Sequence, residues 1–342
     1  MCPALPGPVF FMGLVKLNSM FPSCCGRFQW AIGKHGQARL GAFRFFPQLF
    51  TKVAAKLPAG LLPPKTVVFS LYIRYTIGMS ERSFTIHEIE GYIASIFLVE
   101  SKEGLLLLDG GCRGDAKRIE DFITGTLHRP MGDLRLMLVS HMHPDHAGGA
   151  PILRKKFGIP IAAHHLVDNW YRGWRGWLQN RVDRYLAQFS ARRNGKKRES
   201  VRYSRKIHPE FPLKDGDVLP EFPDWNVLVL PGHTLFDCCL FNGSESVFYA
   251  ADMVLFMNGK FMLPFPIPFP DKMRASLDRM AEMKAETLLL AHGGKLSSID
   301  FSMLMKTMEE QIGKTDNPMF QRIAPFTVIG PEIKKGRRNH LS

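Results

Sequence analysis

The sequence predicts an α/β domain, and three observations support that prediction. Short apolar runs of strand length, such as Leu105–Leu108 and Leu134–Val139, alternate with longer segments whose apolar residues recur at helical spacing. Glycine, proline and histidine-bearing loops separate these runs. No apolar run reaches the roughly 20 residues that a membrane-spanning helix needs. With 342 residues and 45% hydrophobic content, the chain can bury a large core, so one domain with appendages is the expected organisation.

Residues 1–78 stand apart in composition. Nine Lys or Arg and no Asp or Glu lie between Met1 and Met79, so much of the formal charge of +14 is concentrated there. The segment is rich in Phe, Pro and Gly without a sustained period. It reads either as a targeting or membrane-associating leader or as an upstream extension of a chain that starts at Met79. Of the six cysteines, three (Cys2, Cys24, Cys25) lie there and three (Cys112, Cys238, Cys239) lie downstream. With no C-x-x-C pair, all six are expected to be reduced thiols, in keeping with a cytoplasmic location.

Residues 79–312 are expected to form the domain, followed by a tail over 313–342. Tyr92–Val99 and Gly104–Leu108 read as two strands joined by a Ser-Lys-Glu-Gly turn. Asp115–Thr126 reads as a surface helix with Ile119, Phe122 and Ile123 on its inner face. Strands are expected over 134–139 and 159–163, with a helix between them ending near Phe157. Trp225–Leu230, Asp237–Phe241 and Val247–Ala251 read as further strands, the last two joined by a turn at Gly243-Ser244. The run Phe261–Pro270 holds too many prolines for regular structure and suits an apolar lip or a loop over core edges. Asp271–Ala285 reads as a helix capped by Asp271, followed by a strand over 287–291. Phe301, Leu304, Met305, Met308 and Ile312 mark a last amphipathic helix.

The segment 166–206 reads as an insertion. Trp174, Leu178, Val182, Tyr185 and Phe189 fall on one helical face, and twelve Lys or Arg stand against two acids between Arg172 and Lys206. Three readings compete: an amphipathic helix packed over the domain and followed by a solvated basic loop, a helix lying on a membrane surface, or a cationic cover over the active site. Nucleic-acid binding is not expected, because a basic run alone is weak evidence for it.

The chemistry is concentrated in Ser140-His141-Met142-His143-Pro144-Asp145-His146-Ala147-Gly148-Gly149. Three histidines and one carboxylate occupy six consecutive residues on a loop between a strand and a helix. Neutral imidazoles beside an ionised carboxylate suit zinc or another first-row divalent metal.

This stretch resembles the H-x-H-x-D-H signature of the metallo-β-lactamase superfamily. The resemblance extends in order to Leu105–Gly111 upstream and to Pro231-Gly232-His233-Thr234, Tyr249-Ala250-Ala251-Asp252 and Leu288–Gly294 downstream. It implies an αββα sandwich, two mixed β-sheets flanked by helices. It also implies two divalent metal ions, with zinc expected and manganese or iron compatible with the same ligands. His141, His143 and His233 would hold one ion; Asp145, His146 and His292 would hold the other, with Asp252 bridging. The implied reaction is hydrolysis by a hydroxide shared between the metals, with Asp145 orienting the nucleophile or passing a proton. Asp109 is the candidate to steady a ligand histidine from behind.

Within the family the motif resembles glyoxalase II-like thioesterases and lactonase-like enzymes, so the expected substrate is a small ester, thioester or lactone with an apolar acyl part. A phosphodiester hydrolase is the alternative, and a basic binding module with a relict metal site comes third. Peripheral membrane contact through 166–206 stays open. Structural roles are expected for His164 and His165, and solvent exposure for His87, His128 and His208. Cys112 is expected to be a packed thiol. Tyr171, Tyr203 and Tyr249 are all candidates to assist an oxyanion, with nothing to select among them.

Overall fold

The computed structural model describes residues 83–265, 267–312 and 322–331. The expectations for 1–78, and for the tail over 313–321 and 332–342, lie outside these residues.

The first half of the domain builds a mixed six-stranded sheet in sequential order. Its strands are β1 (Phe84–Glu90), β2 (Ser95–Ser101), β3 (Gly104–Leu108), β4 (Leu134–Val139), β5 (Ile161–His164) and β6 (Phe211–Leu213). The first three pair antiparallel; β3 through β6 run parallel. Helices α1 (Asp115–Asp121), α2 (Pro144–Ala147), α3 (Ala150–Phe157) and α4 (Gly173–Arg193) fall within the parallel crossovers. A π-helical turn, Phe122–Thr126, extends α1 to the boundary that the sequence suggests.

The second half builds a five-stranded sheet in the order β13-β12-β9-β8-β7. These strands are β7 (Asn226–Val229), β8 (Cys238–Asn242), β9 (Val247–Ala251), β12 (Thr287–Leu290) and β13 (Gly294–Ser297). Between β9 and β12 lie the hairpin of β10 (Leu255–Met257) with β11 (Lys260–Met262), then α5 (Pro270–Glu282). Helix α6 (Phe301–Glu309) follows, capped by Asp300, whose carboxylate accepts from Met303 N.

Side-chain parity turns these sheets into four layers. Leu105 and Leu107 of β3 point toward Ile119, Ile123 and Leu153 on the outer helices. Their neighbours Leu106 and Leu108 point the other way, against Tyr249, Ala251 and Leu289 of the second sheet. The far face of that sheet, with Phe248, Leu288 and Leu290, packs on Met273, Leu277 and Met280 of α5 and on Leu304, Met305 and Met308 of α6. A strand buried on both faces loses the alternation of a half-exposed one, which is why the β3 run is leucine throughout. The result is the αββα sandwich, with all sheet residues of β3 and β9 buried.

Several expectations are corrected. Asp271 does not cap α5; Phe269 holds the cap position and Pro270 opens the helix, leaving Asp271 in the first turn, where its charge favours the helix dipole. Phe261 and Met262 are not loop but strand residues of β11. His87 is not simply solvent-facing: its Nε2 lies 2.9 Å from Glu100 and its ring packs on Phe122.

The sequence left the orientation of α4 open among three readings. The apolar stripe does not pack inward. Trp174, Tyr185 and Phe189 are exposed and Leu178 and Val182 half-buried, whereas Gly176, Gln179, Asn180, Asp183, Ala187 and Ala191 are buried. The helix turns a small and polar stripe toward the domain.

Candidate metal centre

The site forms where the strands of both sheets end. The β3 strand closes at Asp109, whose φ of 66° places it in the left-handed region. That conformation is uncommon for a residue with a side chain and signals a position held by its contacts. The loop after β4 folds onto the same end, and two glycine pairs let the loops meet. A Cβ on Gly149 would lie 2.2 Å from the Gly110 carbonyl oxygen, so only glycine permits this approach. Gly110 N donates to the His146 carbonyl at 2.8 Å and Gly149 N to the Gly111 carbonyl at 3.0 Å.

All seven residues of the implied ligand set converge here, in two groups: His141, His143, His233 and Asp252, and Asp145, His146 and His292. In the first, His143 Nδ1 lies 3.1 Å from His141 Nε2 and 2.9 Å from His233 Nε2. Asp252 Oδ2 lies 3.9 Å from His141 Nε2 and 3.5 Å from His233 Nε2. In the second, Asp145 Oδ2 lies 3.2 Å from His292 Nε2. Asp252 Oδ1 completes that group at 3.2 Å from His146 Nε2 and 3.6 Å from His292 Nε2. The two oxygens of Asp252 therefore face different groups, as a bridging carboxylate must.

The spacings suit metal ligands. Bond lengths of about 2.0–2.1 Å in a tetrahedral zinc site put neighbouring ligand atoms roughly 3.3 Å apart, within the spread of the distances above. The surrounding hydrogen bonds aim the lone pairs inward. Ser140 Oγ donates to Asp109 Oδ2 at 2.7 Å and faces His141 Nδ1 at 3.0 Å. Asp109 Oδ2 also lies 2.6 Å from His146 Nδ1. Protons on these two Nδ1 atoms satisfy both contacts and leave each Nε2 bare toward the cluster. His146 Nε2, His233 Nδ1 and Asp252 Oδ1 are buried and have no hydrogen-bond partner. His146 Nε2 and Asp252 Oδ1 face each other without hydrogen-bond geometry, as donors aimed at a shared cation do.

The electrostatics agree with this fit. Burial, reinforced by neighbouring histidines, pushes His141 well below the ordinary imidazole range and His233 down to about 4. Burial also takes His143 to about 4, against the opposing pull of Asp145 and Asp252. All three rings are therefore neutral, the form that ligates. Burial would raise Asp145, but the His292 hydrogen bond and the charges of His146 and His292 hold it at about 2. Burial opposes protonation of His146, yet Asp252 and Asp109 on either side hold it well above its usual range, so a cation binding there would displace a proton from its Nε2. Carboxylates this crowded require positive charge between them, a demand that a divalent cation meets.

Asp109 takes the supporting role expected of it. Besides His146 and Ser140 Oγ, it accepts from Ser140 N at 2.6 Å and from the hydroxyl of Tyr249. Tyr249, on β9 and fully buried, thus stands behind the ligands. His164 stacks on Phe236, with ring centroids 5.0 Å apart, and its Nδ1 accepts from Leu166 N. The Cys112 thiol is buried and pushed up by that burial and by Asp145 and Asp115 nearby. Cys112, Cys238 and Cys239 are all unbridged.

Sequence reasoning missed Asp183. The buried stripe of α4 carries it to 3.6 Å from His143 Nε2. It accepts from Tyr171 hydroxyl at 2.8 Å and from Gln179 Nε2 at 2.7 Å. Tyr203 continues the network: its hydroxyl lies 3.2 Å from that of Tyr171 and also meets the Met142 carbonyl of the metal loop, its single proton serving one of the two at a time. Burial raises the Asp183 carboxyl to about 7, even against the hydrogen bonds of Tyr171 and Gln179. The available signal was its position: Gly176, Gln179, Asp183 and Ala187 recur at helical spacing, opposite the aromatics.

A cavity of about 200 Å³ opens above the cluster. His143, Asp145, His233, Asp252 and His292 line it together with Trp170, Val182, Leu186, Pro264 and Phe265. Part of the Phe/Pro run is therefore a lip to the cavity. Among the described residues, no Lys or Arg lines it.

Residues 89–292, more than half of the chain, match the metallo-beta-lactamase superfamily model. A metallo-beta-lactamase family protein from Thermus thermophilus superposes with a TM-score of 0.50 at 20% identity, over 68% of this chain and 79% of that one. An archaeal superfamily protein from Sulfolobus tokodaii gives 0.49 at 16% identity, over 66% and 85%. BJP-1, a subclass B3 metallo-beta-lactamase of Bradyrhizobium japonicum, gives 0.46 at 15% identity, over 68% and 91%. The ordered motifs, the four layers and the family match lead to one conclusion: the chain belongs to the metallo-beta-lactamase superfamily.

Proposed function

We propose that the protein is a binuclear metal-dependent hydrolase of an ester, thioester or lactone with an apolar acyl group. The observation that carries this reading is Asp252, set between two donor groups on the floor of a cavity walled by Trp170, Val182, Leu186, Pro264 and Phe265. His141, His143 and His233 would hold one divalent cation, Asp145, His146 and His292 the other, and Asp252 both. Zinc suits the donor set, as do manganese and iron. Bound there, such a pair supplies Lewis acidity and acidifies water at neutral pH.

The chain's own residues supply the rest. The apolar walls seat an acyl chain and keep bulk water from the reacting carbonyl. Asp145 lines the cavity and stays ionised beside His292, so its carboxylate can accept a proton from the attacking water and return it to the leaving oxygen or sulfur. Asp109 steadies the His146 ring through the nitrogen that points away from the cluster, and Asp183 lies 3.6 Å from the corresponding nitrogen of His143. A phosphodiester would call for cations along the cavity, and the cations of α4 lie elsewhere.

The test is a panel of soluble esters, thioesters, lactones and phosphodiesters, run with zinc, manganese and iron on protein of measured metal content. Turnover of a carbonyl substrate, lost on chelation and restored by metal, is the expected result. Turnover confined to phosphodiesters, or unaffected by chelation, would overturn the proposal.

A further inference from the structure

Among the described residues, four of the six exposed large aromatics lie on one face of α4. Trp174 is 61% exposed, Trp177 51%, Tyr185 66% and Phe189 49%. These residues follow one another at steps of three, eight and four, and Arg181 fills the gap midway along the same stripe. The arginines are stacked on the aromatics: Arg175 lies 4.7 Å from the Trp174 ring, Arg181 5.3 Å from Trp177 and Arg193 5.9 Å from Phe189. A stripe of large aromatics is not left in water without a partner as a rule. The buried stripe of the same helix carries the polar side chains, so the exposed aromatics are not needed to hold α4 in place.

We propose that this face is an interfacial helix that docks the protein on an anionic lipid surface. Indole and phenol rings favour the boundary between lipid headgroups and acyl chains, and arginine guanidinium groups reach the headgroup phosphates. Charge identifies the occupant. The segment from Arg172 to Lys206 has twelve Lys or Arg and two acids, and neither acid is available outside: Asp183 is buried and Glu199 pairs with Arg118. The basic run at Arg192, Arg193, Lys196, Lys197 and Arg198 extends the field past the helix end. A second copy docked through the same face would set arginine against arginine. The acid-free residues 1–79 carry the same sign, so charge complementarity does not select them as the occupant.

The docking face adjoins the cavity. Leu186 is exposed on α4 and also lines the cavity wall, so a surface that takes up the aromatics lies beside the opening. Partition is a property of the folded chain and needs no turnover, so it is tested independently of the proposed reaction.

The experiment is co-sedimentation of the full chain with vesicles of phosphatidylcholine alone and of phosphatidylcholine mixed with phosphatidylglycerol. Tryptophan fluorescence supplies a second readout. The expected result is binding to the mixed vesicles, a blue shift on binding, and weakening by added salt. The exposed-face variant Trp174→Ser/Trp177→Ser/Phe189→Ser should bind roughly tenfold or more weakly, with an unchanged circular dichroism spectrum and unchanged hydrolysis of a water-soluble substrate. A wild-type protein that ignores both vesicle types would overturn the proposal. So would equal binding by the variant, which would move the contact to another part of the chain. A concentration-dependent dimer that the variant abolishes, without vesicle binding, would assign the face to a second copy instead.

Discussion

Asp109→Asn tests the logic of the centre without touching a proposed ligand. The Asp109 carboxylate accepts four hydrogen bonds: Ser140 N at Oδ1, and Ser140 Oγ, His146 Nδ1 and the Tyr249 hydroxyl at Oδ2. An asparagine offers one acceptor oxygen and one amide donor, so neither orientation satisfies this set. With the amide toward Ser140 N, two donors meet, and an unsatisfied buried N–H costs about 1–3 kcal/mol. With the amide toward His146, the ring must move its proton from Nδ1 to Nε2, which removes the lone pair aimed at the cation. Either way His146 is a poorer ligand. Loss of such a supporting contact lowers metal affinity by about 10–100-fold, with the larger loss at the Asp145–His146–His292 group. Chelator competition with zinc, resolved into two binding steps, measures it. Wild-type affinity at both steps would refute the assignment of Asp109 and the proton placement behind it.

Three further outcomes are expected. Asp145→Ala should lower turnover by at least about 100-fold with the circular dichroism spectrum unchanged; wild-type turnover would remove Asp145 from the mechanism. Asp183→Ala should reduce kcat/KM by about 10–100-fold by freeing the His143 ring, whereas Asp183→Asn, which keeps partners for Tyr171 and Gln179, should recover part of the loss; equal kinetics in all three proteins would make the contact incidental. Acid stability should report His164, which burial and the nearby His165 depress to about 4. A histidine depressed in the folded state stabilises fully above its unfolded value near 6.5 and loses that contribution as pH falls through about 4. Urea denaturation from pH 7 to pH 4 should therefore show wild type losing up to about 3 kcal/mol more than His164→Gln, and parallel losses would exclude His164 as the source.

Much of this protein is written locally. β3, β4 and β9 fall on the expected residues because a strand buried on both faces is a short, mostly apolar run, broken in β4 only by exposed Arg135, and polar residues (Asp109, Ser140 and Asp252) follow them. The metal loop was legible because few other demands put three imidazoles and a carboxylate into one turn. The short strands β6, β10, β11 and β13 were not legible: three or four residues hold too little pattern, and partners far along the chain define them.

Local chemistry thus determined the strand ends and the histidine-rich loop, whereas the resemblance to a known family supplied the remaining donors and the sandwich that collects them. Periodicity also located α4, but not which of its faces points inward. Reading a helix from hydrophobicity assumes that its neighbour is an apolar core, and α4 instead covers a polar centre. Asp183 accepts from Gln179 and Tyr171 and lies near His143 there, and the aromatics are turned to the outside. Only the tertiary structure decided that inversion, because the surface a helix packs on determines which of its stripes is buried.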